Sequence, residues 1–142
     1  MTVSIFVNAA RGGVITASKD DTVAAVIRLL AERRIGCVPV VEQGRVVGIF
    51  SERDVVYGLA RTGAALLDRK VGEVMTSPPV TIAPDTEILE ALALMTRRRI
   101  RHLPIVEGNE MVGFVSIGDM VKSRIDAIES EAEAMRSYIQ SA

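Results

Sequence analysis

The chain has 142 residues, a formal net charge of −1 and a single histidine, a length that fits one compact domain or two very small units sharing a core. Apolar residues make up 49% and charged residues 25%, a globular rather than disordered composition, and the near-neutral balance supplies no field to draw in nucleic acid or an anionic membrane. The lone cysteine, Cys37, cannot close an internal disulfide, and no uncharged run approaches the roughly 20 apolar residues of a membrane span. The first ten residues lack the basic start of a secretory leader, so a cytoplasmic setting is expected.

Residues 1–11 form an N-terminal segment, and a first unit follows over 12–60. Its β-branched run Val14–Ala17 reads as a strand, and Asp21-Thr22 offer an N-cap to a helix that carries Val23, Val26, Ile27 and Leu30 at helical spacing. Cys37–Val41 and Val46–Phe50, joined by the polar turn Glu42–Arg45, read as a hairpin, and a second helix starts after Ser51. Residues 61–77 are a linker with a short helix over Val71–Met75, leading into the turn Ser77-Pro78-Pro79. A second unit over 78–124 repeats the order: Val80–Ile82, the cap pair Asp85-Thr86, a helix with Ile88, Leu92 and Met95, a hairpin over Leu103–Val106 and Met111–Val115, and a helix after Ser116. Residues 125–142 extend that last helix. Its stripe of Ile117, Val121, Ile125, Ile128, Ala132, Met135 and Ile139 suits either packing back on its own domain or, as favoured here, pairing with a second subunit.

The likeness of the units is a gapless repeat at an offset of 65 residues. Thr16 falls on Thr81, Asp20 on Asp85, Arg33-Arg34-Ile35 on Arg98-Arg99-Ile100, Pro39 on Pro104, Ser51 on Ser116 and Asp54 on Asp119. Units of about 50 residues bury too little surface alone, so they should pack on each other.

Both units carry one motif at the end of the last strand: Gly48-Ile49-Phe50-Ser51-Glu52-Arg53-Asp54 and Gly113-Phe114-Val115-Ser116-Ile117-Gly118-Asp119. One account is a helix capping box, with Ser at the N-cap and an acid three residues on. The other is a ribonucleotide cradle. Free N–H groups at a helix start suit a phosphate, a carboxylate can accept both ribose hydroxyls, and a glycine lets a planar base approach the backbone.

The duplicated βαββα order, the paired Gly-apolar-apolar-Ser-x-x-Asp segments and the Ile-x-x-x-Pro-apolar-Val strands resemble a CBS-domain pair over residues 12–124. The free-standing form resembles small bacterial proteins of that family. The resemblance implies an α+β fold in which two units related by a pseudo-two-fold pack through their sheets and leave two clefts. It also implies a non-catalytic regulatory module that binds AMP, ADP, ATP or NAD between the units, works as a homodimer and signals to an unidentified protein. In matching positions Asp119 and Asp54 would hold ribose hydroxyls, with Ser116 and Ser51 near ribose or phosphate. Arg101 and His102 would face phosphates, Phe114 and Ile49 would wall the adenine, and backbone around Thr16-Ala17 and Thr81-Ile82 would complete the pocket. Gly36-Cys37 stand where the second unit has Arg101-His102, leaving only Arg53 as a cation beside Asp54. The Asp119 cleft is therefore expected to bind phosphorylated ligand more tightly.

The remaining residues read plainly. Arg98-Arg99 and Arg33-Arg34 are solvated helix ends that could lean toward a phosphate in their own unit's cleft. Cys37 is a small strand residue, and one histidine makes no metal site. Ser51 and Ser116 lack a positioned base, and no Walker loop is present, so no catalysis and no catalytic cofactor are expected. The alternative is a dimerisation scaffold with vestigial clefts.

Overall fold

A computed structural model describes residues 1–7 and 13–141. The first unit comprises α1 (Val23–Arg33), β1 (Cys37–Glu42), β2 (Arg45–Ser51) and α2 (Glu52–Thr62). A 3-10 turn over Gly63–Asp68 and the short α3 (Val71–Val74) lead on. The second unit comprises α4 (Ile88–Arg98), β3 (His102–Glu107), β4 (Glu110–Ser116) and α5 (Ile117–Ser141). The expected α+β repeat is present, as two two-stranded antiparallel sheets with helices around them. Residues 8–12, which close the N-terminal segment and open the first unit, lie outside the described residues.

The hairpins are copies down to register. Cys37 pairs with Ser51 and His102 with Ser116, and each ladder has its irregularity at the same place, after Val40 and after Ile105. In the first turn Gln43 and Gly44 both take positive φ (52° and 80°), the backbone that suits the twist of a two-residue hairpin loop. The two sheets meet through β2 and β4, and the Met111 N–H donates to the Gly44 carbonyl at 3.1 Å.

The strands expected over Val14–Ala17 and Val80–Ile82 contract to one parallel bridge each, Ala17 to Val40 and Ile82 to Ile105. Pro39 and Pro104 explain the contraction. Their carbonyls accept from Ala17 and Ile82 at 3.0 Å, but the next rung would need the N–H that proline lacks. The N-caps also diverge. Thr22 Oγ1 accepts from the Ala25 N–H at 3.1 Å, as expected. In the second unit the N-cap is Glu87, without a side-chain bond, and Thr86 Oγ1 instead accepts from the Ala83 N–H.

The packing is crossed. Thr2 bridges to Glu87, Val3 N–H donates to the Thr86 carbonyl, and Val3 is fully buried in the second unit's core among Ile88, Ala91, Met95 and Leu103. In the same way Lys70 bridges to Thr22, and Val71 is fully buried in the first unit's core with Val23, Val38 and Phe50. The N-terminal segment thus completes the second unit, and the linker completes the first.

Met120 is the one buried residue of α5. The part of that helix past residue 125 does not fold back onto its domain. No helix among the described residues is long and apolar enough to cross a membrane.

Replacing Val3 with Ala removes two buried methyl groups and should lower unfolding stability by about 2 kcal/mol. Urea denaturation will read this as a lower midpoint at unchanged slope. An unaltered midpoint would show that the segment is not part of the core.

Candidate functional site

The motif ends each hairpin where its following helix begins. In the second unit Asp119 Oδ2 accepts from the Ser116 N–H at 3.0 Å, and Ser116 Oγ accepts from the Asp119 N–H at 3.1 Å. The capping account is therefore correct as far as it goes. It consumes one carboxylate oxygen, and Oδ1 of Asp119 has no partner among the described residues.

That carboxylate lines a cavity of about 580 Å³ between the units. The second unit contributes His102, Phe114, Ser116 and Asp119, while the first contributes Val14, Ile15, Gly36, Cys37 and the arginine at 34. The His102 and Phe114 rings stack within it, centroids 5.4 Å apart and 15° from parallel. Pairing of His102 with Ser116 across β3 and β4 brings the aromatic pair and the helix start to the same end of the sheet.

The first unit's copy is bound differently. Asp54 Oδ2 accepts from the Ser51 N–H at 2.9 Å and from its hydroxyl at 3.3 Å, and Oδ1 accepts from Thr76 Oγ1 at 2.9 Å. Thr76 also exchanges two backbone bonds with Ile49, and Arg53 donates to the Arg99 carbonyl at 2.9 Å. Both oxygens of Asp54, the Ile49 backbone and the Arg53 guanidinium are all engaged within the protein.

Of the residues singled out by sequence, the cavity gathers Asp119, Ser116, His102, Phe114 and Cys37. Arg101 is exposed and does not line it. Ala17 and Ile82 lie in the two cores, and their N–H and carbonyl groups are spent on the bridges to the hairpins. Thr16 and Thr81 are exposed beside them. Gly13, Val14 and Ile15, just before Thr16, line the cavity instead.

The structure adds to two readings of the sequence. Arg34 lines the cavity with Asp119 as well as one inside its own unit beside Gly36 and Glu52, because the end of α1 abuts the second unit's hairpin. It caps α1 in the left-handed conformation (φ 54°), where glycine is usual; an arginine there was the available sequence signal. The motif glycines have a packing role of their own. A Cβ on Gly48 would lie 2.4 Å from Met75 Sδ, and one on Gly113 would lie 3.0 Å from Ile105 Cδ1.

Burial lowers the pKa of His102 below 6.5, opposed by Asp119, with Arg101 adding to the lowering and Glu52 resisting it. Burial, with Asp54 nearby, pushes the Cys37 thiol up to about 12.

A family model described as CBS domain matches residues 9–61 and again 71–126. The chain belongs to the CBS-domain family. This CBS pair is 35% identical over 136 residues to the mitochondrial CBS domain-containing protein CBSX3 of Arabidopsis thaliana, covering 92% of this chain and 66% of that protein. It superposes with TM-score 0.80 on a protein with CBS domains from Burkholderia ambifaria, at 35% identity, covering 89% of this chain and 95% of that one. CBSX2, solved in complex with AMP, shares the fold with TM-score 0.78 at 23% identity, over 89% of this chain and 97% of that one.

His102 is the only histidine, so its ring protons give one proton NMR titration. Its midpoint should fall below 6.5; because the folded state binds fewer protons than the unfolded chain, this stability contribution is complete above pH 6.5 and is lost as the pH falls through the folded value. A midpoint at or above 6.5 would contradict the buried position. Cys37 should resist alkylation at pH 8 in the folded protein and react fully in denaturant, read by mass spectrometry.

Proposed function

We propose that this CBS pair is a non-catalytic regulatory module that binds an adenine nucleotide (AMP, ADP, ATP or NAD) in the cavity at Asp119, acts as a homodimer and alters what it presents to a protein partner. The carrying observation is the meeting of a half-free carboxylate, a stacked aromatic pair and a cation in one cavity between two units. Asp119 Oδ1 is the acceptor for ribose hydroxyls, and the Phe114 face suits a flat base. Arg34 and His102, with Ser116 at the helix start, supply donors for phosphate. The AMP complex of the similarly folded CBSX2 supports this ligand class.

The first cleft favours the scaffold reading locally. With Asp54 held by Ser51 and Thr76, and Arg53 held by Arg99, a nucleotide there would have to displace existing bonds. We assign it the weaker site.

Calorimetry with AMP, ATP and NAD tests both statements. Asp119→Ala should weaken binding at least about tenfold, the loss expected for hydrogen bonds to a charged group, whereas Asp54→Ala should change it less than about threefold. Binding of none of the three to the wild type at high micromolar concentration would end the proposal. Loss in the Asp54 variant alone would reverse the assignment of sites.

A further inference from the structure

The nucleotide reading leaves the apolar stripe of α5 unused. From Val121 onward it advances by alternating steps of four and three, through Ile125, Ile128, Ala132 and Met135 to Ile139. This is the spacing of a coiled-coil seam, with 125, 132 and 139 at a and 121, 128 and 135 at d. The seam begins immediately after Met120, the helix's only buried residue, and its large side chains are exposed, from 43% at Val121 to 69% at Ile139.

The flanking charges discriminate between orientations. On this frame Lys122, Glu129 and Arg136 occupy e, Arg124 and Glu131 occupy g, and Ser123, Ser130 and Ser137 fall at f, farthest from the seam. In a parallel pair each g faces the e of the partner's next heptad. Arg124 then meets the partner's Glu129, and Glu131 meets the partner's Arg136. Both are opposite-sign pairs, and the two-fold doubles them. The antiparallel register that matches all six seam positions pairs 121 with 139, 125 with 135 and 128 with 132. It sets Glu129 against the partner's Glu129, Glu131 against the partner's Glu131, and Lys122 against the partner's Arg136. Every charged pair of that register is repulsive.

We infer that α5 pairs in parallel with α5 of a second copy of this chain, through the Val121–Ile139 seam and its crossed Arg124–Glu129 and Glu131–Arg136 pairs. This rests on the homodimer reading but not on nucleotide binding. The seam is short and Ala132 leaves its centre thin, so the charge pairs choose the partner's direction rather than supply the bulk of the affinity. Both globular halves then sit at the same end of the coil. Because α5 opens with Asp119 in its first turn, each cavity is joined to the dimer seam by one continuous helix.

Sedimentation equilibrium on the full chain, with thermal unfolding as a check that each variant folds, tests the inference. The wild type should be a dimer, and Ile128→Asp should weaken it at least about a hundredfold. Arg124→Glu should weaken it about tenfold, and adding Glu129→Arg should restore it to within about threefold, since only parallel pairing joins those positions. Ile139→Cys should give a covalent dimer under mild oxidation, with the wild type and its buried Cys37 as control. A monomeric wild type would overturn the coil and the homodimer together. A dimer that Ile139→Cys does not crosslink, or in which Glu129→Arg fails to rescue Arg124→Glu, would overturn the coil alone.

Discussion

Crossed packing is the constraint on which the rest depends. Units of this size cannot each bury a sufficient core, and each borrows a segment from outside itself: Val3 is fully buried in the second unit and Val71 in the first. The exchange draws each unit's helix end against the other's hairpin. Arg34, Gly36 and Cys37 are thereby delivered to the space in front of His102, Phe114 and Asp119. The cavity is a by-product of how the cores are completed, which is why its walls come from both halves of the chain.

Within that frame, the capping use of the motif leaves room for the proposed ligand use. A carboxylate has two oxygens, and capping α5 occupies one of them. The other can serve a ligand without loss to the helix. In the first unit Thr76 takes that second oxygen, so the same motif on the same scaffold differs in availability through one neighbouring hydroxyl. The duplication copied the Ser-x-x-Asp motif, and Thr76 of the linker made the two carboxylates unequal.

The unequal histories of the two helix extensions follow similar logic. α2 ends at Thr62 and hands the chain to a turn whose Leu66 is buried in the first core. α5 continues to Ser141 with its apolar stripe exposed, and the charges beside that stripe, rather than any contact within the chain, say which surface would cover it.

The repeat, the element order, the hairpins, the short helix before Ser77 and the motif residues Ser116 and Asp119 were legible in the sequence, because periodicity and turn chemistry act over a few residues and the duplication doubled every signal. Tertiary structure alone decided the contraction of the first strands beside Pro39 and Pro104, the place of Arg34, and the latch of Thr76 on Asp54. It also decided that Val3 and Val71 are equivalent plugs; they lie 68 positions apart, not 65, so the gapless repeat passes over them. These features arise where segments distant in the chain meet. A sequence specifies which side chains seek burial and which helix starts seek a cap, but which partner each one finds is settled by closing two small cores at once.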